Sequence, residues 1–152
     1  MGNEKALLTQ YNTLYKENDE IYRIAAKTLG LSACAFWILY ALREEEGLIQ
    51  SELCHTLCLP KQTIHSALKK LENDGFIKLS SGKDRRAKYL SLTKKGTELA
   101  KETVDRVIQS ELNAFAGFTD LEQQEFIRLF QKYTELLKAG MMNLNNESIK
   151  IK

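Results

Sequence analysis

The stretch Asp84-Arg85-Arg86-Ala87-Lys88-Tyr89-Leu90-Ser91-Leu92-Thr93-Lys94-Lys95-Gly96 joins a short basic hairpin to the start of a helix, and its reading decides the fold of this 152-residue chain. Ala87 to Leu92 reads as a strand and Phe76 to Ser80 as its partner, so Ser81-Gly82-Lys83-Asp84-Arg85-Arg86 forms the turn. Thr93 then suits a helix N-cap, because its hydroxyl can accept from the free backbone N–H groups of a first turn. Directly before the hairpin, Leu59-Pro60-Lys61 opens a helix that runs to Gly75. Pro60 fits its first turn, where the missing N–H is not needed. In that helix Ile64, Ala67, Leu68 and Leu71 share one face and must pack inward. By the same geometry Gln62, His65, Ser66, Lys69 and Asn73 point away from the core.

Working outward, Leu7 to Leu29 carries Leu7, Tyr11, Leu14, Ile21, Tyr22 and Ala25 as a one-face stripe interrupted by Asn18. Ser32 suits the N-cap of a second helix, which runs to about Glu45 and is strongly apolar from Ala35 to Tyr40. Its acidic end, Glu44-Glu45-Glu46, opposes the helix dipole, and nothing in the sequence explains that cost. An extended Leu48-Ile49 leads into a short helix, about Ser51 to Leu57. After the hairpin, the helix capped by Thr93 runs to about Ala116 through Leu99, Val104, Ile108, Leu112 and Phe115. Thr119 and Glu122 fit a capping box that opens a last helix, with Phe126, Leu129, Phe130, Tyr133, Leu136 and Leu137 at helical spacing. Gly30, Gly47, Gly75 and Gly117 each follow a helical pattern, where a left-handed residue ends a helix. The stretch from Asn143 to Lys152 is a polar tail expected to fray.

The length suits one domain, residues 1–142, and not two independent cores. Apolar residues at 43% and charged residues at 28% are ordinary for a globular protein and argue against a disordered chain. No apolar run approaches the ~20 residues a membrane span needs, and the N-terminus lacks a signal-peptide core. A cytoplasmic location is the expectation. The formal charge of +2 hides a strong asymmetry. Residues 61–96 hold ten Lys/Arg against three acids, a net of +7 that leaves −5 for the rest. Positive charge gathered on one structural unit is a footprint for phosphates. Three cysteines, Cys34, Cys54 and Cys58, are an odd number and argue against a disulfide framework. Cys54 and Cys58 lie four apart beside Leu53 and Leu57 and are expected to be small buried hydrophobes.

The order helix–helix–helix–hairpin–helix–helix, with a basic hairpin directly after a turn-plus-helix segment, is the layout of a winged helix-turn-helix. It resembles the MarR family of bacterial transcriptional regulators over nearly the whole chain. The most specific part is the D-x-R…L-T-x-x-G signature: Asp84, Arg86, Leu92, Thr93 and Gly96. Leu59 to Thr63, leading to Leu68, Leu71 and Gly75-Phe76-Ile77, supports it. The expected fold is mainly α with a small β-wing, a winged helix-turn-helix lobe at about 32–92. Dimerisation helices at about 5–29 and 94–142 flank it, and the resemblance implies that they interlock in a homodimer. They also carry more apolar side chains than one small core absorbs.

The function expected is sequence-specific binding of double-stranded DNA by a transcriptional regulator, a repressor sooner than an activator because repression needs only occupancy. Gln62 suits adenine, Ser66 a base or a phosphate, and Lys69 a backbone oxygen, since each base pair shows a distinct pattern in the major groove. His65 suits either role, and Lys61 and Thr63 suit phosphates near the helix start. The hairpin contributes Lys83, Arg85, Arg86 and Lys88. The resemblance places Arg86 in or beside the adjacent minor groove, oriented by Asp84, where a narrow groove concentrates negative potential.

The resemblance also implies a small amphipathic or aromatic effector that releases DNA. Tyr11, Tyr15, Phe36, Trp37 and Tyr40 are its candidate pocket, although aromatic residues at helical spacing also make plain core. A sharper variant is redox sensing by Cys34, whose thiol pKa a helix N-terminus would lower. Neither a cofactor nor a metal is expected, His55 and His65 having no convincing set of co-ligands. An enzyme is not indicated: no G-x-G-x-x-G, P-loop, HExxH or nucleophile elbow is present. The alternative outside DNA binding is a winged helix whose basic hairpin meets an acidic protein.

Overall fold

Helix α2 (Ala33–Glu44) is the most apolar helix of the chain and sits at the centre of its core. Ser32 caps it as expected, its hydroxyl accepting from the Ala35 N–H at 3.2 Å. Around it the computed structural model, which describes residues 2–81 and 88–147, arranges α1 (Gly2–Thr28), α3 (Gln50–Leu57) and α4 (Lys61–Asn73). Then follow the strands β1 (Ile77–Ser81) and β2 (Lys88–Leu92) and the helices α5 (Lys94–Glu102), α6 (Val104–Phe115) and α7 (Asp120–Glu147). No single helix among the described residues is long and apolar enough to cross a membrane. Two compact units divide after Ile108.

In the first unit, two apolar clusters meet along α2. Ile38, Ala41 and Leu42 join Leu48, Leu53, Ile64, Leu68, Leu71, Ile77 and Leu90, which ties α2 to α3, α4 and the hairpin. Phe36 and Leu39 join Ala26, Ala100 and Val104, which ties it to α1, α5 and the start of α6. One helix serves both clusters because it is apolar nearly all round, as a buried helix must be. The hairpin is antiparallel, pairing Ile77 with Leu92 and Leu79 with Leu90, so these side chains share the face turned to the core. The extended residues before α3 add to it, Ile49 bridging Tyr89 and the Leu90 N–H donating to the Leu48 carbonyl at 2.8 Å.

Two boundaries depart from the sequence pattern. The helix expected from Thr93 to Ala116 is broken at Thr103, which has φ −120° and ψ −88°. The Thr103 side chain is buried, and its hydroxyl donates back to the Leu99 carbonyl at 2.6 Å. Such back-bonding competes with the helix's own ladder and bends it. The last helix continues to Glu147, into the stretch read as a polar tail. Gly117 also departs from expectation, since positive φ is confined to Gly30, Gly47 and Gly75 among the glycines.

In the second unit, Thr119 and Glu122 form the expected capping box: the Glu122 carboxylate accepts from the Thr119 N–H at 2.8 Å, and the Thr119 hydroxyl from the Glu122 N–H at 3.3 Å. That contact holds the Glu122 carboxyl below its ordinary pKa. Phe115, Phe118, Phe126 and Phe130 pack ring to ring with centroids 5.9 to 6.3 Å apart.

Candidate nucleic-acid interface

Helix α4 divides its faces as the 3.6-residue period requires. Ile64, Leu68 and Leu71 are buried, whereas Lys61, Gln62, Thr63, His65, Ser66 and Lys69 are all exposed. The helix starts after Pro60, whose carbonyl takes the Ile64 N–H at 3.2 Å. The Ser66 hydroxyl donates to the Gln62 carbonyl at 3.0 Å, which leaves its lone pairs facing outward as acceptors. Lys61, His65 and Lys69 fall on one stripe and, with Lys88 of β2, line a cleft of about 570 Å³ between α4 and the hairpin. Four side chains expected to meet nucleic acid are thus brought together by the fold. Lys83, Asp84, Arg85 and Arg86 lie outside the described residues.

The geometry gives the L-T-x-x-G signature a structural role. Helix α4 ends at Gly75, whose φ of +78° disfavours any side chain. The Phe76 N–H reaches back to the Leu71 carbonyl at 2.9 Å and the Gly75 N–H to the Glu72 carbonyl at 2.9 Å, a Schellman closure. Thr93 grips that closure from the far side of the hairpin. Its hydroxyl donates to the Gly75 carbonyl at 2.6 Å and accepts from the Gly96 N–H at 3.0 Å, while its own N–H donates to the Phe76 carbonyl at 3.0 Å. Gly96 lies so close that a Cβ there would sit 1.8 Å from the Phe76 oxygen. Lys95 adds a bond from Nζ to the Asp74 carbonyl at 2.8 Å and stands 4.6 Å over the Phe76 ring. These contacts bind the end of α4 to both ends of the hairpin, fixing the reading helix against the base of the wing.

The cysteines contradict two expectations. Cys58 is exposed, not a buried hydrophobe, because it ends α3 in the left-handed conformation with φ 51°. Cys34 is half-buried at the start of α2, and burial pushes its thiol pKa up, the neighbouring Cys54 adding to the effect. The expected lowering by the helix N-terminus is therefore reversed, since desolvation of the thiolate outweighs the dipole. No cluster of three or more His, Cys, Asp or Glu suited to a metal occurs among the described residues.

Of the aromatic candidates, Phe36 is fully buried core. Trp37 and Tyr40 are half-buried against it, with ring centroids 4.9 and 6.1 Å from Phe36, and Tyr22 of α1 lies 5.1 Å from Trp37. Tyr11 and Tyr15 pair with each other at 6.2 Å. Sequence reasoning missed Gln50 and Ser51. They lie just at the start of α3, were read as connection and helix start, and prove to line the same cleft as Lys61 and His65. Only their position before a helix was visible in the sequence, because the closeness of α3 to α4 is tertiary.

Residues 29–87 match the family model described as the MarR family. An HTH-type transcriptional repressor of Mycobacterium bovis is 31% identical over 71% of this chain and 78% of its own length. The chain belongs to the MarR family. Two solved family members share the fold and 26% identity. A MarR family regulator from Neisseria meningitidis covers 93% of this chain and 98% of its own with a TM-score of 0.77. A MarR family regulator from Listeria monocytogenes complexed with 26mer DNA covers 91% and 93% with a TM-score of 0.70. The MarR-family chain is accordingly a transcriptional regulator and not an enzyme, with the winged helix expected from its sequence.

Proposed function

We propose that this regulator binds specific double-stranded DNA as a homodimer and represses transcription, with a small amphipathic or aromatic effector releasing it. The observation that carries the reading is the outward face of α4: Lys61, Gln62, Thr63, His65, Ser66 and Lys69 are exposed together, beside Lys88. Short polar groups amid cations suit base edges flanked by phosphates. Arg86, with Asp84 orienting it and Lys83 and Arg85 alongside, supplies the minor-groove and backbone contacts of the wing.

A homodimer follows from symmetry and from apolar surface. One winged helix covers one half-site, and two-fold pairing presents two. Leu7, Leu14, Tyr15, Ile21 and Ile24 stand 50% or more exposed on α1, as do Ile127, Leu129 and Leu136 on α7. Apolar surface on this scale marks an interface. The effector reading rests on Trp37 and Tyr40, which offer ring surface beside Tyr22, with Tyr11 and Tyr15 as further candidates and Phe36 as the floor. A regulator of this kind works where the DNA is, in the cytoplasm.

Fluorescence anisotropy with random-sequence and upstream-region duplexes tests the proposal. If on the order of eight phosphates are neutralised by the dimer, log K falls against log salt with a slope near −7. Arg86→Ala weakens binding to every sequence; equal affinities for it and the wild type remove the wing from the interface. Absence of binding to any duplex returns the alternative, a winged helix with an acidic protein partner.

A further inference from the structure

We propose that Gln50, at the start of α3, is a second base-reading residue of this regulator, acting beside Gln62 and outside the reading helix. The proposal rests on the DNA-binding reading above. Gln50 lines both clefts that border the reading face: one with Lys61, Gln62 and His65, the other with Lys61, His65, Lys69 and Lys88. It stands across from Lys61 and His65, which are one helical turn apart on α4 and therefore on one side of it. Any duplex that seats Gln62 and His65 against base edges brings the next base-pair steps within reach of a side chain in that position.

The chemistry of the residue separates reading from anchoring. Lys61, Lys69 and Lys88 already supply the positive charge that phosphates need, and a neutral carboxamide adds none. A carboxamide offers a donor and an acceptor on one planar group, the pattern that matches N6 and N7 of adenine. Gln50 is also free to use it. No side-chain hydrogen bond ties its carboxamide to another described residue, and no buried, unpartnered side-chain nitrogen or oxygen occurs among the described residues, so both its polar atoms reach solvent. Its backbone is held firmly: α3 begins there, with the preceding Ile49 N–H bound by the Glu52 carboxylate at 2.8 Å and Ile49 itself bridged to Tyr89 of the hairpin. A free side chain on a fixed backbone is what reproducible base reading requires.

The test starts from an operator recovered by selecting random duplexes with the wild-type protein, followed by anisotropy on that operator and on a scrambled duplex. Gln50→Ala is expected to lose about tenfold on the operator with unchanged affinity for the scrambled duplex, as expected for one bidentate base contact. Selection repeated with Gln50→Glu, which keeps the shape but replaces the donor with an acceptor, is expected to change the preferred base from adenine to cytosine at one position next to that read by Gln62. A Gln50→Ala affinity within twofold of wild type, or an equal loss on both duplexes, overturns the proposal, as does an unchanged selected sequence for Gln50→Glu. Wild-type protein that selects no duplex overturns the DNA-binding reading itself. Thermal melting of both variants at the wild-type temperature separates these results from misfolding.

Discussion

The two units of the chain use apolar residues in opposite ways. Up to Ile108, Phe36, Ile38, Leu39, Leu53, Ile64, Ile77, Leu90 and Val104 are sealed from solvent. Beyond it no described residue is buried, although α7 carries Leu121, Phe126, Ile127, Leu129, Phe130, Leu136 and Leu137 at 42% to 78% exposure. The sequence patterns of α4 and α7 are alike in kind, an apolar stripe at helical spacing. Their outcomes differ because a stripe closes only against a facing surface. Helix α4 meets α2, α3 and the hairpin, while within its own unit α7 has only the end of α6, which occupies a narrow seam of phenylalanines. A closed lobe can read DNA as a rigid body; an open helix pair calls for a partner, and the homodimer proposed here supplies one.

The largest expected effect comes from attacking the open unit. Phe126→Asp combined with Phe130→Asp should convert the dimer to monomer in sedimentation and reduce operator affinity by more than about 100-fold, because two half-sites are no longer joined. The lobe's own melting transition should survive. A double variant that stays dimeric would move the interface away from this face.

Next in size is the closed unit. Gly96→Ala forces a methyl group into the Phe76 carbonyl and should destabilise the lobe by about 3 kcal/mol in urea unfolding, at the upper end of overpacking costs. Dimerisation should persist if the two units are energetically distinct. Gln62→Ala touches neither core nor interface. It should weaken operator binding by roughly tenfold and leave random-sequence affinity unchanged. The smallest effect belongs to the bidentate pair of Arg43 and Asp105, at 2.7 and 2.8 Å, which links α2 to the start of α6. Both side chains are about one-third exposed, so a double-mutant cycle with Arg43→Ala and Asp105→Ala should return less than about 1 kcal/mol. A larger value would mark the pair as a strut between the lobe and α6.

Much of this architecture was legible in the chain alone. The two faces of α4, the caps at Ser32, Thr93 and Thr119, the hairpin and the family signature all depend on residues within a few positions of one another, where periodicity and capping chemistry act. The break at Thr103 was not legible, since a threonine inside an apolar helical pattern gives no sign that its hydroxyl will turn back to Leu99. The thiol of Cys34 was misread for a related reason: its distance along the chain from a helix start was visible, but its burial beside Cys54 was not.

What the sequence by itself determined is which surfaces are polar, basic or apolar and where each helix and strand begins, because those follow from short-range geometry. Tertiary structure alone decided which apolar stripes closed, that Gly96 must lack a side chain against Phe76, and that Gln50 stands beside the reading face. Each of these depends on groups brought together from distant parts of the chain, and packing, unlike periodicity, has no signature in the spacing of residues.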